Sequence, residues 1–272
     1  MKVVLFCGGL GLRMRDYSAH TPKPMVPIGY RPILWHVMKY YAHYGHKDFI
    51  LAMGYGADVI KEYFLNYNEC LSNNFVLSEG GKTVQLLESD TQDWRITFVD
   101  TGVMSPIGER LRRVRNYLEG EDVFLANYTD SLSACPLPDI TDHFCRHNKV
   151  ATFLCVKPNL SFHVISLKNG GEVNRIEHIK NSTVRINGGF FVFKREIFDY
   201  IRPGDELVNE PFARLIAEKQ LTAYRYNGFW ASMDTFKDKQ QLDDMHAQDD
   251  APWEVWKTSN TEPIRRYAAV AI

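Results

Sequence analysis

The sequence predicts an α/β protein: a mixed, mostly parallel sheet between two layers of helices. Three observations carry that expectation. Short apolar runs of the fully buried kind alternate with amphipathic helical stretches in the first quarter of the chain. A glycine-rich turn follows the first of those runs directly. Further on, the pattern changes to alternating, glycine-punctuated segments of the antiparallel type.

In chain order, KVVLFC is the first strand, and after a long loop RPILWHVMKYYAHYG reads as a helix with Pro32 at its first turn. Ile33, Leu34, Val37, Met38 and Tyr41 share one face of it. DFILAMGYG is a second buried strand and DVIKEYFLNY an amphipathic helix, which completes a βαβα opening. TVQLLE and WRITFVDT are shorter strands. GERLRRVRNYL is a helix, VFLAN a buried strand, and PLPDITDHFCRHN a helix leading into the strand ATFLCV. FHVISLKNGGEVNRIEH and STVRINGGFFVFK are expected to add antiparallel strands to the sheet. REIFDYI, NEPFARLIAEK and TFKDKQQLDDMHAQ close the ordered part as helices. No repeat or low-complexity linker interrupts this order, so one domain is expected over 1–257, followed by a tail, 258–272, without a clear period.

Composition narrows the function. The 272 residues are 45% hydrophobic and 24% charged, enough for one large core. With 32 basic and 33 acidic side chains the formal charge is -1, so no global field draws the chain to nucleic acid or an anionic membrane, and any anion site must be local. The first apolar run is too short for a signal sequence, and no later run is long enough to cross a bilayer. Cys7, Cys70, Cys135, Cys145 and Cys155 are odd in number and lack paired spacing, as expected for reduced thiols of a cytoplasmic protein.

The turn after the first strand, GGLGLR, lies where an open α/β sheet binds its ligand, beyond the carboxyl end of a strand. Glycine lets backbone N–H groups come close to a polyphosphate, and Arg13 adds a fork of charged donors. A dinucleotide fingerprint is excluded because Met14 stands where its third glycine belongs. A P-loop is excluded because no Gly-Lys-Ser/Thr stands directly before a helix. Ten residues beyond Arg13, Lys23 is held between Pro22 and Pro24, which stiffen the segment; such a lysine suits an α-phosphate that gains charge during transfer. A structural loop and a surface lysine remain the competing accounts.

GGLGLRM, TPKPMVPIG, RPILWHVMKYY, VIKEYF, INGGFFVF, GFWASMDTFKDKQQL and APWEVW, in this order up to Lys257, resemble the sugar-1-phosphate nucleotidyltransferases. The likeness is greatest to members that pair CTP with glucose 1-phosphate. The resemblance implies a three-layer sandwich with a Rossmann-like N-terminal half, the nucleotide-diphospho-sugar transferase fold. It also implies transfer of a nucleotidyl group from CTP to a hexose 1-phosphate, with Mg2+ as cofactor, in a homo-oligomer.

Roles follow by position from the same resemblance. Phe6, Cys7, Gly8, Gly9, Leu10, Gly11, Leu12 and Arg13 would wrap the triphosphate, with Lys23, Ser105, Arg110 and Thr129 also on the nucleotide. An exposed charge on an arginine-rich helix is the alternative for Arg110. Arg13, Lys23, Asp130 and Asp234 would be catalytic, Asp130 and Asp234 by holding the metal; Asp234 could instead cap the helix after it. Glu177, Asn187 and Gly188 would meet the sugar phosphate, with a plain bulge as the competing account of the glycine pair at 188 and 189.

Four positions depart from the family pattern: Leu12 for threonine, Thr129 and Ser131 for glycines beside the metal aspartate, and His178 for a lysine. Arg185, two residues before Asn187 and so on the same strand face, is a candidate to replace that lysine on the sugar phosphate, against the alternative of a solvated edge arginine. The same transfer from UTP, dTTP or GTP is the nearest alternative, a non-turnover nucleotide-binding regulator the rival function, and a nicotinamide oxidoreductase a more distant one.

Overall fold

The computed structural model describes residues 1–9, 21–159 and 162–257. Leu10, Gly11, Leu12 and Arg13 of the glycine turn lie outside the described residues, as does the tail, 258–272.

The chain runs β1 (Val3–Cys7), β2 (Pro27–Ile28), β3 (Arg31–Pro32), α1 (Ile33–His43), β4 (Asp48–Met53), α2 (Ala57–Leu65), β5 (Phe75–Ser78), β6 (Thr83–Leu86), β7 (Arg95–Asp100) and α3 (Ile107–Arg113). It continues with β8 (Val123–Tyr128), β9 (Ser131–Ser133), α4 (Leu137–His147), β10 (Ala151–Val156), β11 (His163–Leu167), β12 (Val173–His178) and β13 (Ile186–Lys194). The last elements are α5 (Glu210–Ala217), β14 (Leu221–Arg225), β15 (Trp230–Ser232) and α6 (Phe236–Ala247).

The central sheet has seven strands in the order β14-β10-β13-β8-β1-β4-β7. Every pair is parallel except the two made by β13, which runs against both β8 and β10. Strand β1 is flanked by β4 on one side and β8 on the other, so the connections leave it in opposite directions. Its carboxyl end, with that of β8, opens the crevice where such sheets bind ligands.

Alternation along β1 builds the layers. Val3, Leu5 and Cys7 enter the core beneath α1, with Ile60 of α2, Phe144 of α4 and Leu242 of α6. Val4 and Phe6 enter the opposite core, with Leu111 of α3 and Phe212 and Leu215 of α5. With all five β1 residues buried, the strand is a rigid support for the turn that follows it.

Several elements depart from the sequence reading. Among the described residues β11 and β12 pair only with each other and do not extend the sheet; of that region only β13 joins it. TVQLLE likewise pairs with Phe75–Ser78 in a separate hairpin. REIFDYI forms a short 3-10 turn, Arg195–Asp199, and the helix at GERLRRVRNYL breaks after Arg113 into a second 3-10 turn. LTAYR, which carries no helical or turn signal, is the edge strand β14.

Candidate active site

The site forms at the carboxyl edge of β1 and β8. Asp130 stands two residues after the end of β8, and the strand after it, β9, pairs antiparallel with β15, Ser131 facing Ser232. The Met233 N–H donates to the Asp130 carbonyl at 2.8 Å. Asp234 is the next residue, so this short ladder brings two distant carboxylates side by side.

Asp234 does not cap α6. The cap is Thr235, whose hydroxyl accepts from the Asp238 N–H while the Asp238 carboxylate accepts from the Thr235 N–H, a reciprocal capping box. The helix start is therefore complete without the Asp234 side chain.

Lys23 arrives from the other side of the crevice. Its backbone is fixed in a 3-10 turn, Lys23–Met25, by bonds from Met25 N–H to Pro22 and from Val26 N–H to Lys23, with Pro24 and Met25 buried. Pro22 packs on Gly56, which has φ +65° and where a Cβ would come within 2.6 Å of the proline ring. Thus anchored, Lys23 Nζ donates to Asp130 Oδ2 at 2.7 Å and to Asp234 Oδ1 at 2.8 Å. Burial pulls the ammonium's pKa down, but the Asp130 charge and hydrogen bonds to both carboxylates outweigh it, so it is held above the usual lysine value. The two carboxylates remain 33% and 29% exposed, so a ligand in the crevice can reach them.

Beneath the glycine turn lies Arg110. It is 2% exposed, which excludes the solvated alternative. Its guanidinium donates to the carbonyls of Gly8 at 2.8 Å, Met53 at 3.1 Å, Gly102 at 2.8 Å and Val103 at 3.0 Å, and to the Thr101 hydroxyl at 2.8 Å. A Cβ at Gly8 would meet Arg110 Nη1 at 2.0 Å, so residue 8 must be glycine for this clamp to close. Arg110 thus joins the ends of β1 and β4 to the 101–103 loop, its donors committed to the protein. Ser105 lies further along the connection to α3, its hydroxyl donating to the Thr101 carbonyl.

Thr129 is also turned inward: its hydroxyl donates to the Phe6 carbonyl at 2.9 Å and ties β8 to β1. Phe6 packs on Tyr128, ring centroids 6.1 Å apart. Burial pushes the Cys7 thiol up to about 12, so it is a neutral core group. Among the described residues nothing lies within 4 Å of where a Cβ on Gly9 would stand, as a backbone approached by a ligand requires.

On the sugar side, Gly188 and Gly189 lie in a bulge where β13 shifts register against β10, as the competing account expected. Trp230 Nε1 donates to the Gly188 carbonyl at 2.8 Å, fastening the bulge to the ladder that carries Asp234. The Asn187 side chain accepts from the Gly189 N–H at 2.9 Å. Glu177 is on the β11–β12 hairpin, its Oε2 2.7 Å from Arg175 Nη2. Arg185 donates to the carbonyls of Cys155 at 3.2 Å and Tyr226 at 3.3 Å and to Asn227 Oδ1 at 2.6 Å; it fastens β13 to its neighbours. His178 accepts from the Lys180 N–H at 3.2 Å and so caps the 3-10 turn Ile179–Asn181, which gives this departure a structural role.

The structure thus joins Lys23, Asp130 and Asp234 directly and sets the Gly188 bulge beside them, while Arg110, Thr129 and Arg185 are engaged with backbone. Sequence reasoning missed the Thr235 cap and the Trp230 bond. The first had a signal, Thr-x-x-Asp at the start of an apparent helix; the second had none.

A nucleotide-type α/β crevice with a lysine bridging two aspartates defines the class of protein. Residues 2–238 match the nucleotidyl transferase family, and the chain belongs to it. It is 37% identical over 259 residues to glucose-1-phosphate cytidylyltransferase of Salmonella typhimurium, spanning 94% of this chain and 100% of that one. To mannose-1-phosphate guanyltransferase of Saccharomyces cerevisiae it is 25% identical over 248 residues, 88% of this chain and 62% of that one. In fold it resembles UDP-glucose pyrophosphorylase in complex with UDP-glucose, with TM-score 0.66, 15% identity, and coverage of 91% of this chain and 98% of that one. HddC from Yersinia pseudotuberculosis gives TM-score 0.64 at 18% identity, covering 90% and 99%.

Proposed function

We propose that this chain transfers the cytidylyl group of CTP to glucose 1-phosphate, giving CDP-glucose and pyrophosphate. The observation that carries the reading is the convergence of Lys23, Asp130 and Asp234 at the switch point of the sheet, in a chain whose full-length relatives include a glucose-1-phosphate cytidylyltransferase.

A divalent cation fits the donor set. A single positive group already reaches both carboxylates, so a cation is accommodated between them. Among the described residues no group of three or more His, Cys, Asp or Glu gathers to make an all-protein cage. That agrees with Mg2+, which takes one or two carboxylates and completes its shell with substrate phosphates and water. Held by Asp130 and Asp234, the ion would neutralise charge on the transferring phosphate.

The chain's own residues do the remainder. Backbone N–H groups of the glycine-rich stretch, with Arg13, cradle the triphosphate, and Arg110 holds Gly8 at the end of β1. Asn187 and the Gly188 bulge, with Glu177, position the sugar phosphate. Its ionised oxygen attacks the α-phosphorus in line with the departing pyrophosphate, so no general base is required, and Lys23 stabilises the charge that builds there.

We further infer a homo-oligomer in the cytoplasm. Phe75, Leu77, Val84 and Leu87 on one isolated hairpin, and Ile165, Leu167 and Ile176 on the other, are exposed, and such hairpins need a covering surface to be stable. The five cysteines are all free, and no helix among the described residues is long and apolar enough to cross a membrane.

The test is pyrophosphate release with CTP, UTP, dTTP and GTP against a panel of sugar 1-phosphates. CTP with glucose 1-phosphate should be preferred. A preference for another triphosphate would overturn the cytidylyl assignment, and nucleotide binding without release would favour a regulatory binder.

A further inference from the structure

Transfer calls for the Lys23 ammonium at the α-phosphate, yet Nζ sits 2.7 and 2.8 Å from the carboxylates of Asp130 and Asp234. We propose that Lys23 is a built-in placeholder cation: in the nucleotide-free protein its ammonium fills the seat between the two aspartates, an arriving divalent cation displaces it, and displacement releases it toward the phosphates. This rests on the assignment of Asp130 and Asp234 as metal ligands.

The physical need is plain. The β9–β15 ladder forces the two carboxylates together whether or not a metal is present, and like charges so placed repel. The ammonium between them offsets that repulsion. The exchange is well suited to the chain's mechanics. Pro22, Pro24 and the buried Met25 hold the Lys23 backbone, so only its side-chain torsions change, and the four-carbon stem carries the charge a few ångströms. Nor is any charge stranded: the carboxylates exchange a monovalent partner for a divalent one as the ammonium gains phosphate oxygens. Lys23 thus lowers the affinity of the two aspartates for a metal.

Mn2+ binding to the nucleotide-free full chain, followed by the electron spin resonance signal of the free ion, tests this without reference to activity. Lys23→Met should bind Mn2+ about tenfold more tightly than the parent, or better; tenfold corresponds to about 1.4 kcal/mol. Lys23→Arg, which keeps the cation, should not. Lys23→Gln should behave like the methionine variant and serves in its place if that variant unfolds. Asp130→Asn should weaken binding in both the parent and the Lys23→Met background. Affinity in Lys23→Met and Lys23→Gln equal to or below the parent's, with Asp130→Asn still weakening it, would overturn the placeholder and leave the metal site standing. Binding that is absent throughout, or indifferent to Asp130→Asn, would remove the metal assignment and the placeholder with it.

Discussion

Asp234→Asn separates a ligand from a helix cap. The capping box belongs to Thr235 and Asp238, so the substitution leaves the start of α6 intact. What it removes is one arm of the Lys23 bridge, whose partners are 13% and 29% exposed. The pair is partly buried, but asparagine keeps an oxygen for the ammonium and Asp130 keeps its charge, so the loss should be about 1–2 kcal/mol, and in a chain of this size about 1 kcal/mol lowers Tm by only ~2–4 °C. Turnover should fall by roughly a hundredfold or more, the scale seen when one preorganised electrostatic group is lost. Thr235→Ala should do the opposite: a stability loss of about 1 kcal/mol with turnover changed only slightly. Calorimetric melting and glucose 1-phosphate-dependent pyrophosphate release measure the two effects. Asp130→Asn combined with Asp234→Asn should be little worse than the poorer single variant, because the pair acts as one unit. A near-parental rate for Asp234→Asn, accompanied by a large drop in Tm, would refute this division of labour.

Other outcomes follow from the same geometry. Arg110→Lys leaves the carbonyls of Gly8, Met53, Gly102 and Val103 without their shared fork, so unfolding by urea should show a loss of about 2–4 kcal/mol. Arg185→Ala should cost about 1 kcal/mol through its bonds to Cys155, Tyr226 and Asn227; steady-state kinetics should show no selective rise in KM for the sugar 1-phosphate, and such a rise would return Arg185 to the site. Burial holds His36 neutral, with a pKa lowered from 6.5 to about 4. Because the unfolded chain then takes up protons first, this contribution is complete above pH 6.5 and is lost as pH falls through the window toward 4, on the order of 3 kcal/mol in total. His46, lowered to about 4 as well, adds to the same window. His36→Gln should flatten part of that slope in urea titrations, and an unchanged slope would show that His36 does not cause it.

The sequence made the parallel half of the fold legible because its strands are buried on both faces and its helices amphipathic, so β1, α1, β4 and α2 each announce themselves by period alone. β11 and β12 misled because an alternating strand looks the same whether it extends a large sheet or pairs in an isolated hairpin; only the partner decides, and the partner is nonlocal. The same limit governed the site. Lys23 and Asp130 stand beside strong local signals, a proline clamp and a strand end. Arg110 sits among Arg112, Arg113 and Arg115, and nothing local distinguishes the guanidinium turned inward from those turned toward solvent. Arg185 lies one residue before β13, which begins at Ile186, and the neighbouring segments offer it carbonyls that spacing cannot reveal. Thr129, read as a departure from a family glycine, uses its hydroxyl to join β8 to β1.

The central claim, nucleotidyl transfer at a site built from Lys23, Asp130 and Asp234, is tested most directly by phosphorus NMR of the chain with CTP, glucose 1-phosphate and Mg2+. The account predicts CDP-glucose and pyrophosphate appearing in equal amounts, only when the sugar phosphate is present, and nearly abolished by Lys23→Met and Asp130→Asn. Pyrophosphate formed without the sugar phosphate, or product formed at the parental rate by either variant, would contradict it.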